Sequence, residues 1–241
     1  MKRILSMVMM IVITLTSFGF CSYNSNSVVS ADTVSWPSGP ELVAETAVMI
    51  DASTGSVLFD KKCHQKMYPA SITKIMTALL TIENCNLDDT VTFSQSAIDT
   101  LEPEAANIGA VVGEEMSVKD CLYALMLQSA NEVASALAEH VSGSIEEFAK
   151  LMNKRAKQAG ANDAHFANAC GLFNKNHYVT AYDMAKIMQA ALQYPVFREI
   201  INSSSYTLPT DNKRKEPLTI SQRHQMVQPW NAFHYDGIIG G

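Results

Sequence analysis

The chain has 241 residues, 47% of them hydrophobic, with 18 Lys and Arg against 24 Asp and Glu and a formal charge of −6. That length can hold one large domain or two small ones, and the apolar content excludes a disordered chain. The acidic balance, with no basic stripe, excludes a nucleic-acid-binding protein.

Lys2 and Arg3 open the chain, Ile4 to Phe20 is a nearly continuous apolar run, and a polar stretch leads to the small residues Val29-Ser30-Ala31. This pattern predicts a signal peptide over residues 1–31, cleaved after Ala31. The alternative is an uncleaved anchor, since the apolar run is about long enough to span a membrane. Cleavage removes Lys2 and Arg3 and no acid, taking the charge from −6 to −8. Cys21 follows Phe20, which is too large for the residue before a lipidated cysteine. No later segment is apolar enough to span, so the expectation is an exported protein of the cell wall or outer membrane face, without a span after cleavage. The remaining cysteines, Cys63, Cys85, Cys121 and Cys170, form no C-x-x-C pair and read as buried thiols. The six histidines form no H-x-x-x-H pair, so neither a metal nor a cofactor is expected.

Residues 32–40 read as a polar linker with two prolines, and residues 41–241 as the folded domain. Val43–Ile50, the turn residues Asp51-Ala52-Ser53-Thr54-Gly55 and Ser56–Asp60 predict a hairpin. Pro69 then introduces a helix that should end near Asn84, with Ile72, Ile75, Met76 and Leu79 on one apolar face. Asp88–Phe93 reads as a short strand and Glu102–Gly113 as a loop. Ser117 with Asp120, Ser144 with Glu147, and Thr180 with Asp183 each pair a capping residue with a carboxylate three positions on. They predict helices from Ser117 to about Leu127, from Ser144 to Gly160, and from Thr180 to before Pro195, with a further one over Glu132–His140. Leu122, Leu125 and Met126 should face the core. From Tyr206 on, strand-like pieces flank the charged run Asp211–Glu216, the expected solvated tip of a hairpin.

Ser71 and Lys74 lie three apart at the start of the first helix, so their side chains are neighbours. A serine hydroxyl needs a base to take its proton, and a lysine can be that base when burial or a helix dipole destabilises its ammonium form. The same helix end favours the oxyanion formed when Ser71 attacks a carbonyl. S-x-x-K alone is weak, because one occurrence is expected by chance in a chain this long. Ser129-Ala130-Asn131, at a helix junction, adds a second hydroxyl able to relay a proton and an amide able to bind a substrate carbonyl or the lysine.

S-x-x-K followed by S-x-N resembles the active-site-serine penicillin-binding fold, whose third motif is K-[TS]-G. Within it the chain is most similar to serine-type D-alanyl-D-alanine carboxypeptidases, the low-molecular-weight penicillin-binding proteins. Residues 47–55, 69–74, 131–143 and 176–185 carry that likeness. The resemblance implies an α/β (α+β) fold: an antiparallel sheet packed on helices, plus a helical subdomain. It implies that Ser71 is the acylated nucleophile, Lys74 its general base, Ser129 the proton relay and Asn131 the substrate-positioning amide. The implied reaction removes the terminal D-alanine of peptidoglycan stem pentapeptides, and β-lactams would acylate the same serine. Class A β-lactamases carry S-D-N, and their E-P-E-L-N-like loop follows that motif, whereas Glu102-Pro103-Glu104 precedes Ser129 and reads as a surface loop. Tyr235–Gly241 resembles the family's lead-in to K-T-G, which would begin at the next residue. In the family that strand supplies a cation for the substrate carboxylate and an oxyanion-hole N–H. The expectation is therefore a carboxypeptidase truncated before K-T-G and its following sheet strands, with reduced or no activity in this form. A β-lactamase, or a non-catalytic peptidoglycan-binding remnant of the same fold, is the alternative.

Overall fold

Asp51 closes the first hairpin by accepting four hydrogen bonds on one carboxylate oxygen, from the backbone N–H and hydroxyl groups of Ser53 and Thr54. These bonds stabilise the ionised form, and the hydroxyl of Ser53 contributes most to holding the carboxyl down at about 2. Strands β1 (Ala47–Ile50) and β2 (Val57–Lys61) pair antiparallel on either side of that turn, with an irregularity between Met49 and Ile50. The computed structural model describes residues 39–228 and 230. The expected signal peptide, most of the expected linker and the 235–241 lead-in fall outside the described residues.

A 3-10 turn, Ala70–Thr73, runs directly into helix α1 (Lys74–Asn84). Strand β3 (Thr90–Thr92), the short helix α2 (Gln95–Asp99) and strand β4 (Glu115–Ser117) follow. Helices α3 (Val118–Gln128), α4 (Asn131–Ser142), α5 (Ile145–Ala159), α6 (Ala181–Ala191) and α7 (Pro195–Ile201) come next. The last pair is β5 (Ser205–Leu208) with β6 (Leu218–Ser221). The described residues thus hold three two-stranded antiparallel sheets, β1–β2, β3–β4 and β5–β6, set among helices. The sequence missed α2, β4 and α7. All three are short, and β4 exists only because it pairs with β3 over Thr90–Thr92.

The three cap signatures hold. Ser117, Ser144 and Thr180 accept from the backbone N–H groups of Asp120, Glu147 and Asp183, and Asp183 closes a full capping box by accepting from the Thr180 N–H. Each such cap is worth roughly 1 kcal/mol of helix stability.

The first helix departs from its expected one-faced pattern. α1 packs against α3, α4, α5, α6 and α7, and its residues from Met76 to Thr81 are all buried. Thr77 and Thr81 survive there because their hydroxyls donate to the carbonyls of Ala169 and Thr77. Around α1 lie Leu122, Leu125, Val133, Leu137, Phe148, Ile187, Phe197 and Ile200. Each such side chain contributes about 1.5–3 kcal/mol by leaving water. Ile72 is exposed instead, and Ile75 only partly covered, because both precede the all-round burial and turn toward an open cleft.

The tip between β5 and β6 is also less solvated than its charges suggest. Arg214 pairs with buried Glu114 at 2.8 Å, and Asn212 donates to the Gly113 carbonyl while accepting from the Glu115 N–H. At the other end of this hairpin, Gln128 at the foot of α3 donates to the Ser221 carbonyl, which holds Gln222-Arg223-His224 beside Ser129.

Candidate active site

The turn carrying Ser71 is held in an unusual shape. Ala70 has φ +50, the left-handed region that costs a non-glycine residue about 1–2 kcal/mol. The compensation comes from the segment 167–177, which straps over the turn. Gly171, itself at φ +90, presses its Cα against Ala70 so closely that a Cβ there would lie 1.8 Å from the Ala70 carbonyl oxygen. Asn168 shapes the strap: its side-chain oxygen accepts from the N–H groups of Cys170 and Gly171, and its amide donates to the Leu172 carbonyl. Below, Ala167 N–H donates to His177 Nδ1 at 3.3 Å, so Nε2 carries the ring proton and donates to Thr73 Oγ1 at 2.9 Å. Burial holds His177 neutral, its pKa down at about 4.

The expected pair meets at this turn. Lys74 Nζ is 3.2 Å from Ser71 Oγ, 2.6 Å from Asn131 Oδ1 and 2.8 Å from the Cys170 carbonyl oxygen. An ammonium has three donors and no acceptor, so all three are matched, and the Asn131 amide must present its oxygen to the lysine. Lys74 is 2% exposed, whereas Ser71 is exposed to solvent, so the two do not share the half-buried edge that the sequence suggested. Burial lowers the lysine pKa to about 8; the nearby Cys170 and Glu132 side chains pull it upward and Arg223 pushes it down. A base with this pKa is neutral in about one molecule in ten at pH 7.

Asn131 is the first residue of α4, and its backbone N–H donates to the Ala106 carbonyl. Glu132, fully buried, accepts from the Ile108 N–H at 2.8 Å, so these two residues pin the 102–113 loop beside the site. Glu102, Pro103 and Glu104 are exposed, in keeping with a surface loop. Ser129 ends α3 in the left-handed conformation, φ 59 and ψ 34, which points the chain into α4. Its Oγ is shielded from solvent and makes no hydrogen bond among the described residues, leaving it free for a reacting partner.

Ser71 stands between two clefts. One, of about 310 Å³, is lined by Lys74, Ile75, Met126, Ser129, Arg223 and His224. The other, about 380 Å³, is lined by Tyr68, Asn131, Cys170, Gly171, Leu172 and Phe173. Tyr68 and Phe173 meet edge to face at 4.9 Å with both rings largely exposed, an apolar wall on the same cleft as Ser71. The structure therefore brings Ser71, Lys74 and Asn131 into contact and sets Ser129 on the same cleft as Ser71. The sequence missed the Cys170 carbonyl, the Thr73–His177 bond and Arg223. Of these, Thr73 and His177 lay in stretches already marked by family likeness.

Comparison with known proteins returns a family and a fold. The family model described as D-alanyl-D-alanine carboxypeptidase, peptidase S11, matches residues 32–232. The chain belongs to that family. Among curated relatives, the D-alanyl-D-alanine carboxypeptidase DacF of Bacillus subtilis is 41% identical over 155 residues, 63% of this chain and 39% of its own length. DacA of Haemophilus influenzae is 32% identical over 173 residues, 70% of this chain and 44% of its own length. The chain thus spans less than half the length of either S11 relative. A crystal structure of a Mycobacterium tuberculosis D-alanyl-D-alanine carboxypeptidase superposes with a TM-score of 0.74 at 28% identity, covering 87% of this chain and 75% of that one. The S11 members named here are carboxypeptidases, in line with the main expectation and not with the β-lactamase alternative. The fold is that of the DD-peptidases, as expected.

Proposed function

We propose that this chain carries the acylating centre of a serine-type D-alanyl-D-alanine carboxypeptidase acting on peptidoglycan stem pentapeptides. The observation that carries the reading is Lys74: a buried amine, stripped of solvent, donating to Ser71 Oγ and anchored by Asn131 and Cys170. In its neutral form Lys74 takes the Ser71 hydroxyl proton as Oγ bonds to the carbonyl carbon of the penultimate residue. The positive end of the turn and α1 opposes the charge that develops on the carbonyl oxygen. As the C–N bond breaks, Ser129 Oγ–H protonates the leaving D-alanine amine and recovers a proton from Lys74. Water then attacks the ester, passing its proton back through Lys74 to Ser71 Oγ, and frees the shortened peptide. The apolar wall of Tyr68 and Phe173 suits the aliphatic side of a stem peptide, and Arg223 is a cation on the opposite cleft. A β-lactam, which presents a strained amide to the same oxygen, would acylate Ser71. Export to the cell wall, by the leader at residues 1–31, agrees with that substrate. Among the described residues no helix is long and apolar enough to cross a membrane.

The test is a labelled penicillin incubated with the protein translated from its entire reading frame, with the adduct mapped by mass spectrometry. Modification at Ser71, absent in Ser71→Ala, is expected. Labelling that survives Ser71→Ala, or no adduct on the wild type, refutes the assignment.

A further inference from the structure

The two helices that supply the base and its amide touch at their far ends as well. Lys74 and Asn131 begin α1 and α4, and each helix ends at a potential metal ligand: Cys85 caps α1, and His140 lies in the last turn of α4. Between them Asp89 folds back, its backbone N–H donating to the Asn86 carbonyl and one carboxylate oxygen accepting from the Asn86 N–H at 2.8 Å. The second oxygen has only a long contact, 3.4 Å to the Asn86 side chain. The thiol sulfur of Cys85, a carboxylate oxygen of Asp89 and a ring nitrogen of His140 all lie within 4.8 Å of one another. Among the described residues no other such grouping of three ligands occurs, and none of the salt bridges involves Asp89.

We propose that Cys85, Asp89 and His140 form a metal-binding clip for a borderline-soft divalent cation of the zinc class, about 16 Å from Lys74 along α1. One thiolate, one imidazole and one carboxylate suit tetrahedral zinc or cobalt, whereas magnesium and calcium prefer all-oxygen shells. Bonds of about 2.0–2.3 Å require donors roughly 3.5 Å apart, a contraction that the exposed imidazole and the partly exposed thiol can make by side-chain rotation. Binding replaces the thiol proton with the metal–sulfur bond and releases that proton to solvent. Water fills the fourth position. The absence of any H-x-x-x-H or C-x-x-C pair hid this site in the sequence, because its third ligand comes from a helix more than fifty residues away. The ion would join the C-terminal ends of α1 and α4 and so hold the helices that present Lys74 and Asn131, whatever reaction they serve.

The test is a Co²⁺ titration of the metal-free protein, read by its thiolate-to-metal charge-transfer band and by competition with Zn²⁺. Among the described cysteines Cys63, Cys121 and Cys170 are buried, and loss of the band in Cys85→Ser assigns it to Cys85 and not to these or to Cys21. One equivalent of Co²⁺ should generate the band, Zn²⁺ should abolish it, and Zn²⁺ should raise the melting temperature of the wild type. Cys85→Ser should remove the band, and His140→Gln, an exposed and structurally mild change, should weaken binding at least 100-fold. No thiolate band at saturating Co²⁺, or a band unchanged in both variants, overturns the proposal. Penicillin labelling of Ser71 is scored separately, so failure of the clip is distinguishable from failure of the catalytic reading.

Discussion

Lys74 makes the sharpest quantitative prediction. A lysine in water titrates at 10.5, and here burial brings it to about 8. The difference corresponds to about 3.4 kcal/mol of lost preference for the ammonium form. At pH 7 it raises the neutral fraction from about 1 in 3,000 to about 1 in 10, roughly a 300-fold gain in competent base. The rate of acylation by a fluorescent penicillin, followed by stopped flow from pH 6 to 9.5, should rise about tenfold per unit at low pH and level off above about 8. Lys74→Arg keeps the charge but cannot surrender its proton, so acylation should fall by at least about 10³ at every pH. A flat profile between pH 6 and 9, or a rise still continuing past pH 9.5, would show that the buried amine is not the group that deprotonates Ser71.

Three further outcomes follow from the strap and the hairpin. His177 titrates at about 4 in the fold against 6.5 when unfolded, so the unfolded state binds the extra proton first as pH falls. Stability should therefore decline from about pH 6.5 and lose up to about 3 kcal/mol by pH 4, a component that urea denaturation should find missing from His177→Gln. In Gly171→Ala the new Cβ cannot coexist with the Ala70 carbonyl, so the Ser71 turn must shift; a loss of more than about 3 kcal/mol and of penicillin labelling is expected. A wild-type labelling rate in that variant would mean that the strap does not set the turn. Arg214→Ala strands the buried carboxylate of Glu114 and should cost about 3–5 kcal/mol in a melting experiment at pH 7, with Glu114→Gln added to the same variant restoring much of it.

What the sequence disclosed was local. Asp51 with Gly55, and the caps Ser117, Ser144 and Thr180, work within three or four residues of themselves, so residue type and spacing were enough to place them. Ser71 with Lys74, and Ser129 with Asn131, were legible as motifs, although not the fact that the Asn131 oxygen is spent on the lysine. The Cys170 carbonyl was beyond reach, because any residue has a carbonyl and only the strap decides which one faces the amine. Ile72 was assigned to a core face since its spacing fits a helix, yet the turn before α1 directs it outward. Arg223 comes to the cleft through the docking of the β5–β6 hairpin on α3, which leaves no periodic trace.

The three acceptors around Lys74 come from positions 3, 57 and 96 residues away. Two of them exist only after α4 and the strap have closed on α1, so a chain still folding carries an ordinary, protonated lysine and an inert Ser71. On the proposed mechanism reactivity therefore emerges last, at the step that completes the core. This ordering delays exposure of the Ser71 hydroxyl beside a neutral amine until folding is finished, and makes covalent labelling of Ser71 a stopwatch for native assembly.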